Sequence, residues 1–262
     1  GILRLGRYTR FVPHSVMIGL LSGVAVNIIC GQLVDLTGST VTASNSVARA
    51  FEVLTHPRGI SGTSLAVGLA ALVLIVGLSR TRLGPFAAVI ALVVPTAVVL
   101  LADLAGVARV DDAGAIPQGL PTPALPELRN LTPSLAFGAL AIAVIVLVQG
   151  AGVAESAPNP DGSPADADRN FMAQGVGNVA AGLVQGQPVG GSVGQTALNV
   201  TSGARSRWGA IASGLWMAVI LVALSGLVGR VAVPTLAAVL IAAAAGSLRP
   251  GQITAIFRTS AT

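Results

Sequence analysis

Lysine is absent from the 262 residues, cysteine occurs once, histidine twice, and only 10% of the chain is charged. An ordinary soluble domain carries about 25% charged residues, so a water-exposed globule is excluded. The lone Cys30 lies in an apolar run and excludes a disulfide framework or a thiol metal site. It reads as a small buried hydrophobe. The net charge of +5 rests entirely on arginine, and aromatics make up 3% of the residues. The arginines stand in short clusters between apolar stretches, with no basic groove and few rings to stack bases, so nucleic-acid binding is excluded. An enzyme inside a membrane needs clustered His, Asp or Glu for metal or acid–base work. The apolar stretches hold no such cluster, so neither catalysis nor a cofactor is expected.

What is present is hydrophobic: 53% of the residues, with a mean hydropathy of +0.81. The chain therefore reads as an all-α polytopic membrane protein. A span needs about 20 mostly apolar residues. Full spans are predicted at Pro13–Leu33, Ser61–Leu78, Pro85–Leu104, Pro133–Glu155 and Trp208–Val228. Shorter, more polar elements fall at Asn170–Leu183, Ser192–Ser202 and Val231–Ala245. Val41–Leu54, with Val41, Val47, Ala50 and Val53 loosely at helical spacing, reads either as an interfacial helix or as a loop.

Arginine orients the spans. With the N-terminal end inside, Arg4, Arg7, Arg10, Arg80, Arg82, Arg169, Arg205, Arg207, Arg249 and Arg258 are cytoplasmic. Only Arg49, Arg58, Arg109, Arg129 and Arg230 fall outside, and this bias supports the count of spans. The outer stretch Ala105–Asn130 carries Asp111, Asp112 and four prolines, which makes an extended connector between two bundles. Arg10-Phe-Val-Pro13 and Arg230-Val-Ala-Val-Pro234 open the first and last spans, a faint repeat of inverted direction.

The stretch Gln185–Asn199 is polar, rich in glycine and broken by Pro188, yet it lies between apolar segments. Irregular backbone at membrane depth survives only inside protein or against a water-filled cavity. A helix that restarts after such a break offers free N–H groups and a positive dipole end to an anion. Ser192, Val193, Gly194, Gln195 and Thr196 occupy that restart. The alternative is that these small residues only permit close helix packing. Gln149, at the end of the apolar run Ala139–Val148, is an intramembrane polar residue and joins the candidates. Glu155 and His14 read as boundary residues, and Asp35 and Asp103 as solvated caps of span ends.

Three blocks match a known family. Tyr8-Thr-Arg-Phe-Val-Pro13 and the residues to Ile28 follow a basic-Phe-x-Pro-x-x-Val pattern. Ala173-Gln-Gly-Val-Gly-Asn178 is followed by Pro188-Val-Gly-Gly and then Thr196-Ala-Leu-Asn-Val-Thr-Ser-Gly-Ala-Arg205. In these blocks the chain resembles the SulP family of sulfate permeases and related anion transporters. The resemblance implies two inverted seven-span repeats, split into core and gate bundles as in uracil permeases, with the broken half-helix near residues 188–202. It implies that the chain covers about the fifth to twelfth spans of a longer protein. The absence of an initiator methionine and the end at Thr262 point the same way. Residues 1–110 would be gate spans, 111–131 the extracellular connector, 132–229 core spans and 230–262 the start of a second gate.

The function so implied is secondary transport of a small inorganic anion, sulfate first, by alternating access. Bicarbonate, a dicarboxylate, or an uncoupled anion channel on the same fold are the alternatives. Gln149, Ser192, Val193, Gly194, Gln195 and Thr196 would bind the substrate. Gln195 stands where family members often carry arginine, which leaves the dipole and backbone donors to do more. Gln149 stands where proton-coupled relatives carry a titratable glutamate, so proton or sodium coupling would need another group. The lipid bilayer is the expected environment, a bacterial inner membrane the expected location, and a homodimer the expected state of the full-length protein.

Overall fold

The computed structural model describes residues 14–114, 131–156, 165–192 and 206–248, with 119, 122–127, 129, 163, 195, 196, 199, 203 and 204. Among these the chain is helical, with no strand. α1 spans His14–Thr37, α2 Ser46–Thr55, α3 Gly62–Ser79, α4 Ala87–Leu101, α5 Pro133–Ser156 and α6 Ala167–Leu183. After the break come α7 Trp208–Ala223, α8 Ser225–Gly229 and α9 Val233–Ser247. Gly62–Ser79, Gly84–Leu101 and Pro133–Ala154 are long and apolar enough to cross a membrane, and Ser22–Thr37, Trp208–Ala223 and Val233–Gly246 are shorter apolar helices. The predicted elements recur with two differences, apart from Ser192–Ser202, most of which lies outside the described residues. α1 runs on to Thr37, so Asp35 sits inside its last turn rather than beyond it. The predicted span Trp208–Val228 is two helices bent at Leu224, where Ser225 and Gly226 are poor helix formers. The motif Arg10–Pro13 lies outside the described residues.

The chain divides into two compact units. One comprises Gly1–Leu21, Gly119–Ala218 and Gly251–Thr262, the other Ser22–Gln118 and Val219–Pro250. The second unit packs α3, α4 and α9 around Leu36, Ala71, Ala91, Ala237 and Ala238, all buried. In lipid there is no hydrophobic force between helices, and small residues hold them by close van der Waals approach. Gly68 shows how close: a Cβ there would stand 2.6 Å from Leu36 Cδ1. Residues 108–110 pair with 231–233, where Val110 N–H donates to Val231 C=O at 3.0 Å and Val233 N–H to Ala108 C=O at 2.9 Å.

A buried polar pair fastens α4 to α9. Thr235, with no exposed surface, donates to Ala232 C=O at 2.7 Å, and its hydroxyl lies 3.3 Å from that of Thr96. Ala232 N–H in turn donates to Thr96 Oγ1 at 3.3 Å. Thr235→Val keeps the shape but removes the Thr235 hydroxyl, which leaves the buried Thr96 O–H without its acceptor, at about 1–3 kcal/mol. The expected result is a lower melting temperature in detergent for Thr235→Val than for Thr235→Ser, which retains the hydroxyl. Equal melting temperatures for the two variants would show that the pair contributes nothing.

Candidate functional site

The interrupted segment belongs wholly to the unit built on α5 and α6. α6 starts at Asp166, whose carboxylate accepts from Asp168 N–H at 3.0 Å and Arg169 N–H at 3.1 Å. It stops at Leu183 in a left-handed turn. Gln185 has φ 60°, Gly186 N–H reaches back to Ala181 C=O at 2.7 Å, and Gln185 N–H to Gly182 C=O at 3.1 Å. This two-bond arrangement satisfies the last carbonyls of a helix and turns the chain sharply. The break thus begins three residues before Pro188, which then keeps the helix from resuming.

Beyond the turn the backbone is held on both sides. The Asn178 amide donates to Val189 C=O at 2.8 Å and to Gln174 C=O at 2.9 Å, while its oxygen accepts from Val189 N–H at 2.7 Å. A single side chain therefore replaces the backbone partners that a helix would have given Val189. On the other side, Gly190 and Gly191 lie directly on α5. A Cβ on Gly190 would come within 2.5 Å of Gln149 Oε1, and one on Gly191 within 3.1 Å of Val153 and 3.4 Å of Gly150. Gly150 in turn leaves the notch that receives the Gln174 amide.

The chain then resumes a helical turn. Ser192 C=O accepts from Thr196 N–H at 3.0 Å, and Ser192 Oγ accepts from Gln195 N–H at 3.3 Å. Ser192 acts as the helix cap, with Gln195 at the third position of a capping-box pattern. The helix starts at α6 and at Ser192 differ in chemistry, and α5 shares the neutral kind, with Thr132 Oγ1 accepting from Leu135 N–H at 3.2 Å. At α6 a carboxylate already occupies the positive end, so a second anion is repelled. At Ser192 the cap is a neutral hydroxyl, which leaves the positive end free of charge.

Of the sequence-derived candidates, Gln149 and Ser192 flank the glycine pair, and Gln195 and Thr196 sit on the first resumed turn. Val193 and Gly194 lie outside the described residues. Sequence reasoning assigned no role to Gln174, Asn178 or Gly150. The available signal was three amides at four-residue spacing, Asn170, Gln174 and Asn178, which puts them on one face of α6.

Two cavities flank the α5–α6 seam. One, about 440 Å³, is lined by Gly150, Val153, Asp166, Arg169, Asn170 and Gln174 among others. The second, about 590 Å³, is mostly apolar, with Leu135, Ile142, Val146, Phe171, Gln174 and Asn178 in its wall. Gln174 belongs to both walls, and its Oε1 is buried without a hydrogen-bond partner. Neither cavity offers a metal site, since no group of three His, Cys, Asp or Glu side chains exists among the described residues.

Apolar helices around an irregular, internally held segment define an integral membrane transporter. The chain belongs to the sulfate permease family, whose model matches residues 1–261. A probable sulfate transporter of Mycobacterium tuberculosis is 31% identical over 250 residues, covering 93% of this chain and 44% of that protein. The bicarbonate transporter BicA of Synechocystis is 25% identical over 249 residues, 91% of this chain and 42% of BicA. The chain thus spans less than half the length of these relatives. The solved transmembrane domain of a cyanobacterial BicA superposes with a TM-score of 0.75 at 20% identity, over 95% of this chain and 64% of that one. The structure of SLC26A9 gives 0.79 at 17% identity, over 94% of this chain and 41% of that one. At such identities the likeness establishes the inverted-repeat fold. The family is one of anion transporters, not of enzymes.

Proposed function

We propose that the chain forms part of a secondary transporter that moves a small inorganic anion, sulfate first, by alternating access. The anion is bound at the restart, by Ser192, Val193, Gly194, Gln195 and Thr196, with Gln149 beside it. The neutrally capped helix start behind a clamped break carries this reading. In this reading a core of residues 132–229 works against gate spans at 1–110 and 230–262, joined through the 111–131 connector; the compact unit holding Gly119–Ala218 covers most of that core, while Val219–Gly229 falls with the other unit. The sulfate transporter of M. tuberculosis favours sulfate, and BicA keeps bicarbonate as the competing substrate. A bacterial plasma membrane and a homodimer of the full-length protein complete the proposal.

A second reading, an uncoupled anion pathway, is favoured by one observation. The side chain against Gly190 is Gln149, an amide that cannot carry a proton. Proton or sodium coupling would therefore need a group elsewhere.

Labelled sulfate uptake by proteoliposomes of the full-length protein, with bicarbonate and dicarboxylates as competitors, tests the proposal. Gln195→Glu is the informative variant. It completes a Ser-x-x-Glu capping box, which favours the helical turn, and sets a negative charge where the anion binds. Two unit charges 4 Å apart interact by about 4 kcal/mol at an effective dielectric of 20, so uptake is expected to fall more than about tenfold with the fold intact. Saturable uptake that Gln195→Glu leaves unchanged would remove the anion from this position. No uptake and no competition by any anion would overturn the sulfate assignment.

A further inference from the structure

The segment between α1 and α3 is a well-built helix with one apolar face left exposed among the described residues. Asn45 caps α2 by accepting from Ala48 N–H at 2.8 Å. Glu52 is tied to the preceding loop, accepting from Thr42 N–H at 3.3 Å and Ala43 N–H at 3.2 Å, and Arg49 Nε donates to Ala43 C=O at 2.9 Å. Ala50 and Val53 are buried against the unit. Val47, Phe51 and Leu54, spaced four and three apart, form a stripe beside that buried face and are 60%, 68% and 72% exposed.

We propose that this stripe is a membrane-interfacial anchor, lodged at the boundary between lipid headgroups and acyl chains. A ten-residue helix is about 15 Å long and cannot cross a hydrocarbon core of about 30 Å. With the C-terminal end of α1 taken as the edge of the bilayer, the level of α2 fits the boundary. Ser46, at its start, lies against Gly31 of α1, where a Cβ would meet Ser46 Oγ at 3.5 Å. Gly31 precedes the end of α1 by six residues, about 9 Å of helix rise, and interfacial helices bury their apolar face by roughly 5–10 Å. The polar residues sit to the sides, with Glu52 and Arg49 engaged by the loop and Arg58 exposed just beyond the helix. A second copy of the chain is the less suitable occupant. A stable interface buries about 800 Å² on each partner, more than three side chains of one short helix supply. The anchor holds the unit containing Ser22–Gln118 at a fixed depth, and it rests on the membrane class alone, not on the anion proposal.

Spin labels at single cysteines decide the matter. Val47→Cys, Phe51→Cys, Leu54→Cys and Arg58→Cys are made in the full-length protein with its native cysteines replaced, in vesicles of phosphatidylcholine and phosphatidylglycerol. All four positions are exposed, so labelling leaves packing unchanged. The expected result is a higher ratio of oxygen to water-soluble nickel collisions at 47, 51 and 54 than at 58. A ratio at the stripe equal to that at 58 would put α2 in water and overturn the proposal. Spin–spin broadening at the stripe would overturn it in favour of a second copy.

Discussion

Asn178→Leu is expected to reduce anion uptake by at least tenfold while leaving α5 and α6 folded. The substitution keeps the branched shape and raises helix propensity but deletes three hydrogen bonds, two of them to the backbone of Val189. In contact with water each bond contributes about 0.5–1.5 kcal/mol. Where lipid or other protein covers the segment, each unpaired group costs several. A loss of 1.4 kcal/mol already corresponds to a factor of ten. The loss falls on the position of the break, and with it on the alignment of the Ser192 turn. Uptake and melting temperature in detergent read the two consequences separately. Wild-type uptake by a well-folded Asn178→Leu protein would show that the clamp has no part in transport.

The second large effect is steric. Gly190→Ala is expected to lower uptake by pushing the Gln149 amide away from the break, because the new methyl stands 2.5 Å from Gln149 Oε1, the free end of that side chain, while Val146 Cα is at an ordinary 3.7 Å. Gly190 does not have a left-handed backbone, so strain of its own φ and ψ plays no part. Shortening the facing side chain should therefore relieve the clash. The double variant Gln149→Ala with Gly190→Ala is expected to transport no worse than Gln149→Ala alone. That coupling, measured by a double-mutant cycle, isolates the contact. Additive losses would mean that the glycine is needed for something other than room beside Gln149.

The contrast between what the residues announce and what they hide follows from their physics. Long apolar runs specify helices directly, so α3, α4 and α5 appear within three residues of their predicted ends. The break was legible because Pro188 and four glycines stand together with polar residues in one stretch, whereas a single proline such as Pro95 is carried inside a span. Its start was legible too, since the polar stretch begins at Gln185 and α6 ends at Leu183 as predicted; the left-handed turn at Gln185 was not, because glycine usually fills that conformation. The bend at Leu224 was missed because the hydrophobic run continues through it. Asn178 and Gln174 escaped for a different reason. Their partners are a backbone eleven residues away and a glycine notch on another helix, and neither contact leaves a mark in local composition. Val41–Leu54 had read equally as helix or loop. The Asn45 cap and the Glu52 contacts decide for a helix.

The central claim is that an anion occupies the resumed helical turn. Gln195 is exposed there, and a thiol at that position can be modified from water. The decisive measurement is the alkylation rate of Gln195→Cys in the otherwise cysteine-free full-length protein, with and without saturating sulfate. Ser206→Cys, exposed beyond the turn, serves as the reference. Slower modification at 195 in sulfate, with no change at 206, is the predicted result. Equal rates at 195 with and without sulfate, bicarbonate or a dicarboxylate would contradict an anion at this turn.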